Sequence, residues 1–453
     1  MTASDKLPQK FMAKMLAVRD RGRGLGAGAD QNPSSGEVFG RILYSFSTGE
    51  KMANARIIGA ATTSFGRFTD STIRSLAEQA VSDALADAGV SPDEIESVFF
   101  ANGVAGLLTG QEMIRGQSAL RNTGLLGQPL VNVENACASG STAFQLAAAA
   151  VESGSVDIAI AVGAEKLSHP EKARSFAAIG TAMDLLQPDD FRRAGIELGP
   201  DLDSGDRRSS PFMDVYAANT RRFMSSGRIS ATDFANVAVK NREHAALNPK
   251  AQFREPLTRQ QVLDSRMVSA PLTLLMCSPI GDGAAAVVVC SAEYVKRIGA
   301  DSVTIRGYTL VSGIDRADGS LPAVTRAARA SYEKAGIGPE DAQVIELHDA
   351  AAPAELIAYE ELGLCEIGDA GKLLHSNQTR LGGKHVVNPS GGLLSKGHPI
   401  GATGLAQLAE LTDQLRGRCG DRQVPNARVA IAENAGGFLG NDPAAASVVV
   451  LAT

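Results

Sequence analysis

One cysteine stands where a nucleophile is most useful. Cys137 lies in Asn135-Ala136-Cys137-Ala138-Ser139-Gly140-Ser141, after a branched, strand-like run (Leu130, Val131, Val133) and before an alanine-rich helical pattern from Phe144 to Val151. A helix N-terminus carries partial positive charge and unpaired N–H groups, which favour an anion and bring a thiol pKa from about 8.5 towards roughly 3.5–7.5. The spacing therefore predicts a reachable nucleophilic thiolate. A packed core thiol is the competing expectation, because free cysteine is among the most buried residue types.

Three further segments carry groups that such a sulfur needs. His398 sits in the glycine-rich run Asn388-Pro389-Ser390-Gly391-Gly392-Leu393-Leu394-Ser395-Lys396-Gly397-His398-Pro399-Ile400-Gly401, and an imidazole accepts a thiol proton near neutral pH. His348-Asp349-Ala350-Ala351 follows the strand-like Val344 to Leu347, and ligand chemistry gathers at strand carboxyl ends in open α/β folds. His348 suits a donor to a developing oxyanion, directly or through a water, a role worth roughly 2.7–4 kcal/mol when preorganised. Its alternative is a bystander beside a helix cap made by Asp349. Glu433-Asn434-Ala435-Gly436-Gly437-Phe438-Leu439-Gly440 ends another strand, and its glycines offer backbone N–H groups for an oxyanion pocket shared with the amide of Cys137. A plain turn would use the same residues.

The elements that must position these groups recur twice in the chain, in one order. Ala88-Gly89-Val90-Ser91-Pro92-Asp93-Glu94 is echoed by Ala335-Gly336-Ile337-Gly338-Pro339-Glu340-Asp341, each ending a helical pattern and leading into a strand. The helix from Gly140 matches the one from Gly401, the strand from Asp157 matches that from Arg428, and Asp282 to Val289 matches Asp442 to Val450. Alternating strands and helices predict mainly parallel sheets covered by helices, and duplication predicts two such layers about a pseudo-twofold axis. His398 then falls opposite Cys137, each in the loop ahead of its own half's central helix. The expected divisions are a flexible extension over 1–51, an N-terminal half over 52–299 with an inserted loop domain at about 166–274, and a C-terminal half over 300–453, with Met52 as a candidate start of the fold.

Together these residues resemble the thiolase superfamily, most closely its sterol-carrier-protein-x-type branch. The resemblance spans about residues 54 to 453 and rests on Asn135 to Ser141, Cys277-Ser278-Pro279-Ile280-Gly281-Asp282-Gly283-Ala284-Ala285, the His348-Asp349 box and, above all, Asn388 to Thr403. It implies an α/β duplicated thiolase fold, five-layered α-β-α-β-α, usually dimeric or tetrameric and acting on acyl-coenzyme A without a permanently bound cofactor. It further implies that Cys137 carries the acyl group as a thioester, that His398 activates it, and that His348 helps to bind the thioester oxygen. Backbone N–H groups of Cys137 and Gly436 would form a second oxyanion hole. Two places depart from the pattern: where related thiolases keep a second cysteine as acid/base, this chain has Asn434 and Ala350. Glu433, a neighbouring histidine, water or a partner protein would then move the α-carbon proton. That departure keeps two alternatives open, a retro-aldolase acting on a β-hydroxyacyl-coenzyme A with an OB-fold partner, and a non-catalytic acyl-coenzyme A-binding subunit.

Bulk properties agree with a multi-domain enzyme. The chain has 453 residues, 44% hydrophobic and 21% charged, with a net charge of −6. An acidic balance argues against nucleic acid, which demands a concentrated positive surface, and no apolar stretch has membrane-spanning length. Five cysteines without paired spacing point to a reducing cytoplasm, and six histidines without HxxxH or HxH spacing predict no dedicated metal site. The loop domain is rich in basic residues, Arg192-Arg193, Arg207-Arg208, Arg221-Arg222, Arg228, Lys240, Arg242, Lys250 and Arg254. Coenzyme A phosphates are their expected partners, and a solvated helix face is the plainer reading. Phe212, Tyr216, Phe223, Met224 and Met267 are candidates for the wall of an acyl or pantetheine tunnel, or simple core.

Overall fold

A computed structural model describes residues 55–198, 210–317 and 319–453. The expected extension over 1–51, the candidate start Met52 and the pair Arg207-Arg208 lie outside the described residues. The strands are β1 (Arg56–Thr62), β2 (Ser97–Ala101), β3 (Leu130–Val133), β4 (Ile158–Lys166), a short hairpin of β5 (Met267–Ser269) and β6 (Leu272–Thr273), β7 (Asp282–Cys290), β8 (Val303–Ser312), β9 (Val344–Glu346), β10 (Val386–Val387), β11 (Val429–Leu439) and β12 (Asp442–Ala452). Six helices frame them: α1 (Ile73–Ala88), α2 (Ser139–Glu152), α3 (Phe212–Met224), α4 (Ala231–Ala246), α5 (Ala323–Ala335) and α6 (Thr403–Leu415).

All strands except the short hairpin are hydrogen-bonded in the order β10-β9-β11-β12-β8-β1-β7-β4-β2-β3. The order repeats outward from its middle, so β1-β7-β4-β2-β3 corresponds to β8-β12-β11-β9-β10. Only Arg56↔Thr304 and Ile57↔Val303 pair across the junction, so each half has its own five-stranded sheet, as the internal repeats predict. The pairing sense corrects one expectation, because the sheets are mixed rather than mainly parallel. β2 runs parallel to β3 and β4, whereas β7 is antiparallel to both β4 and β1; β9 and β12 repeat that arrangement in the second half. The physical reason is visible at Leu439↔Asp442, where β11 and β12 join through a tight turn that only antiparallel strands accept.

Helix composition dictates the layers. α6 is buried on nearly every face, and α2 on all but a stripe that includes Leu146 and Ala149, a pattern that requires apolar contact on more than one side. Both pack on strands of both halves, whereas α1 lies on β1, β4 and β7 and α5 on β8 and β12. The result is α1, first sheet, α2 with α6, second sheet, α5. Close approach of the two central helices needs glycine: a Cβ at Gly140 would stand 2.9 Å from the carbonyl oxygen of Gly401. Their N-terminal ends, and the loops ahead of them, are thereby brought together. Among the described residues no helix is long and apolar enough to cross a membrane.

Candidate active site

Cys137 sits on a sharp turn between β3 and α2. Ala136, just before it, has φ +47°, a left-handed conformation that non-glycine residues rarely adopt. Local hydrogen bonds hold it: Asn135 N–H donates to Ser139 Oγ at 2.8 Å, and that hydroxyl donates to the Ala136 carbonyl at 2.6 Å. The sulfur is only 4% exposed, yet it lines a cavity of 630 Å³. Cys137 is therefore a buried thiol in a cavity wall.

His398 reaches the same point from the opposite half. Its Nε2 lies 3.2 Å from Cys137 Sγ, and its Nδ1 lies 2.7 Å from Thr403 Oγ1. The Thr403 hydroxyl proton is already used, donated to the Pro399 carbonyl at 2.9 Å. Thr403 Oγ1 must accept from His398, which assigns the imidazole proton to Nδ1 and leaves the Nε2 lone pair facing the thiol. That tautomer is the one able to take a proton from sulfur.

Burial changes the expected ionisation. It pushes the Cys137 thiol up to about 12, with Glu165 and Glu134 adding to the effect and the backbone N–H groups of Gly437 and Cys137 opposing it. Burial likewise holds His398 well below its usual range, helped by His348 and Lys396. The resting pair is a neutral thiol and a neutral imidazole, so the expected thiolate is corrected. A helix terminus contributes at most about 2 kcal/mol, whereas full desolvation shifts a pKa by up to 3–5 units. Desolvation wins, and the anion forms only as its proton moves to His398.

His348 stands beside this pair, its ring 5.1 Å from that of His398. Its backbone N–H donates to Glu433 at 2.9 Å, and its buried Nε2 has no partner among the described residues. Burial pushes the imidazole down to about 4 and the Glu433 carboxyl up to about 7. Gly436 packs so closely on the nucleophile turn that a Cβ there would stand 2.3 Å from the Asn135 carbonyl oxygen. The next residue, Gly437, at φ +64°, carries an N–H that favours the sulfur anion, alongside the Gly436 N–H that the family resemblance implies. Asn434 donates to Gln407 at 2.9 Å and keeps a buried, unpartnered Oδ1. Cys137, His348 and His398 hold ligating atoms within 4.8 Å of one another. A thiol and two imidazoles are also a zinc-type donor set, assembled from three distant segments and so invisible to a search for short spacings.

Buried carboxylates fix these loops, and of them only Asp349 was named from the sequence. Glu165, at the end of β4, accepts from Gly103 N–H at 2.8 Å and Gly401 N–H at 3.0 Å, tying the two halves together. Glu346 on β9 accepts from the backbone and hydroxyl of Ser390, and Asp349 accepts from Leu393 N–H at 2.6 Å. Glu355 meets Lys240 at 2.9 Å with both side chains fully buried. The available signal was a carboxylate at the end of, or within, an otherwise apolar strand, as in Glu165 and Glu346, because such a charge persists only when hydrogen-bonded.

The cavity beside Cys137 is lined by cations other than the basic residues named above. None of the described members of the basic set named from sequence lines it; Arg67, His169, Lys172 and Arg266 do. Lys172 and Arg266 still come from the insertion. Seven of the named residues have other partners: Arg192 and Arg193 pair with Asp189 and Asp190, Lys240 with Glu355, and Arg221, Arg242, Lys250 and Arg254 bond Ala270, Ser395, Thr62 and Ala246. Of the proposed apolar wall only Phe212 lines the cavity, joined by Phe176, Ile179, Met213 and Phe253. Tyr216 packs behind Phe212, Phe223 and Met224 pack against a separate core, and Met267 is exposed.

Residues 55–293 match the thiolase N-terminal domain, and residues 310–453 match the thiolase C-terminal domain-like family. The chain belongs to the thiolase family. Thiolases are acyltransferases, and this one is 37% identical over 391 residues to an acetyl-CoA acetyltransferase of Methanothermobacter thermautotrophicus, covering 85% of this chain and 97% of the relative. It is also 37% identical over 391 residues to benzoylsuccinyl-CoA thiolase subunit BbsB of Thauera aromatica, covering 84% and 94%. Sterol carrier protein 2 of Homo sapiens is 36% identical over 375 residues, 80% of this chain and 65% of that protein. Among solved structures, an Ltp2-ChsH2(DUF35) aldolase superposes with a TM-score of 0.71 at 26% identity, covering 88% of this thiolase and 98% of that chain. Human mitochondrial 3-ketoacyl-CoA thiolase superposes at 0.64 and 19% identity over 89% and 99%, a likeness of fold.

Proposed function

We propose that this thiolase moves acyl groups between coenzyme A and a carbon acceptor through a thioester on Cys137. One observation carries the reading: Cys137 Sγ lies 3.2 Å from a His398 Nε2 whose proton-free state is set by Thr403. Cys137 attacks the substrate carbonyl as its proton passes to His398. The oxyanion falls to His348 Nε2 in its N–H form, or to backbone N–H groups of Cys137 and Gly436, and where the leaving group is the coenzyme A thiolate the imidazolium protonates it. Arg67, His169, Lys172 and Arg266 at the cavity suit the phosphates of coenzyme A, and the apolar wall suits pantetheine and acyl group. Incubation with acetyl-coenzyme A should add an acetyl mass to the Cys137 peptide; the same label persisting in Cys137→Ala would refute the reading.

The edge strand β3 supports a homo-oligomer. Among the described residues it pairs on one side only, and Val131 on it, with Met113 and Ile114 nearby in the chain, is 46%, 77% and 62% exposed, respectively. An open apolar edge is suited to pairing with a second copy, and light scattering on the purified chain measures the outcome.

A second reading has a specific observation behind it. The similar aldolase structure is named as a complex with a DUF35 protein, and Asn434 and Ala350 occupy the places of a second cysteine. Retro-aldol cleavage of a β-hydroxyacyl-coenzyme A with an OB-fold partner would release an aldehyde without consuming free coenzyme A, which an aldehyde trap detects.

A further inference from the structure

Acyl transfer to or from carbon leaves one proton unassigned. Breaking the bond next to the thioester places an electron pair on the substrate α-carbon, which must be protonated. Neither Asn434 nor Ala350 can carry that proton, and His398 is engaged with sulfur. We infer that Cys277 is the catalytic acid that protonates the α-carbon, an inference resting on the acyl-transfer reading above.

Cys277 is a second thiol in the wall of the cavity that Cys137, His398 and Ala350 line, and Cys290, Cys365 and Cys419 are absent from that wall. It belongs to a segment that binds directly onto the His348 loop. Its backbone bridges Ala351, and the next N–H, of Ser278, donates to the Ala350 carbonyl at 3.0 Å. Cys277 thereby sits against the loop that carries His348, whose buried Nε2 has no partner among the described residues. The thiol donates to the Thr273 carbonyl at 3.4 Å, and because S–H is a weak donor it exchanges this acceptor for another at small cost. Burial pushes the Cys277 thiol up to about 12, so at neutral pH it rests protonated, the form that a proton donor needs.

The steps balance in thiolysis. Cys137 Sγ bonds to the β-keto carbon while its proton goes to His398 Nε2. The bond between that carbon and the α-carbon breaks, leaving an enolate, and Cys277 gives its S–H proton to the α-carbon. Free coenzyme A, entering the cavity, returns a proton to the Cys277 thiolate. The coenzyme A thiolate so formed attacks the acyl group on Cys137, whose departing sulfur recovers its proton from His398. Condensation is the reverse.

The test uses the full chain, with acetoacetyl-coenzyme A plus coenzyme A for thiolysis, acetyl-coenzyme A in D2O for α-carbon exchange, and peptide mass spectrometry for acetyl on Cys137. Cys277→Ala and Cys277→Ser should each lower thiolysis and α-deuterium incorporation by roughly 10²-fold or more while Cys137 still acetylates at close to the wild-type rate. Retained acetylation shows that the variant is folded. Wild-type thiolysis or exchange in Cys277→Ala, with Cys137 acetylated, overturns the assignment of Cys277 and leaves the acyl-transfer reading standing. A wild-type protein that does not acetylate at Cys137 overturns both.

Discussion

Thr403→Val isolates the tautomer argument. Thr403 is fully buried, and valine copies its shape while deleting the hydroxyl that accepts from His398 Nδ1 at 2.7 Å. The proton on Nδ1 then has no acceptor in a site where His398 is 7% exposed, and an orphaned buried donor costs about 1–3 kcal/mol. The imidazole relieves this by moving its proton to Nε2, which presents an N–H instead of a lone pair to the Cys137 thiol. The competent tautomer is thereby disfavoured by that same amount, which corresponds to a roughly 5- to 150-fold slower acylation. Stopped reactions with acetyl-coenzyme A, read as acetyl on the Cys137 peptide, measure the rate. Thr403→Ser keeps an oxygen in place and should recover most of it, whereas a merely structural defect would appear in the melting temperature of both variants. Wild-type acylation in Thr403→Val would refute the assignment of the proton to Nδ1.

Three other outcomes follow from the site. With the thiol raised to about 12 and the imidazole lowered, iodoacetamide should alkylate Cys137 slowly in substrate-free protein, with a rate still climbing above pH 8; a fast plateau below pH 7 would reveal an ion pair instead. Glu433 is raised to about 7, so the folded state holds its proton more tightly than the unfolded chain. Its contribution is favourable below the unfolded carboxyl pKa and lost as pH rises to about 7, by up to roughly 3 kcal/mol. Glu433→Gln, which still offers an acceptor to His348 N–H, should gain stability relative to wild type across that window in urea titrations, and an unchanged difference would refute the shift. Zn²⁺ should inhibit acylation by joining Cys137, His348 and His398, whose ligating atoms lie within 4.8 Å of one another; reversal by EDTA and loss of the effect in His348→Ala would mark this site.

The chemistry-bearing loops were legible because their signals are local. Cys137 ahead of an alanine-rich helix, His398 among glycines and His348 at a strand end each announce a special backbone. Repeated blocks supplied the pairing of halves, since two copies of one unit place equivalent loops face to face. What the sequence left open depended on long-range packing. The carboxylate and carbonyl partners of the insertion's basic residues, and the cations that line the cavity, are set by how that segment packs. Arg67 gave no such signal, because nothing near it in the chain resembles a binding motif.

By itself the sequence determined which residues meet. Periodicity, turn chemistry and duplication are properties of neighbouring residues, and they suffice to bring a thiol and an imidazole from separate halves to one point. Only the tertiary structure decided the protonation of that pair, the cations of the cavity and the second thiol in its wall. Those depend on how far water is excluded and on which distant groups fill the space, and desolvation is a property of the whole packed molecule.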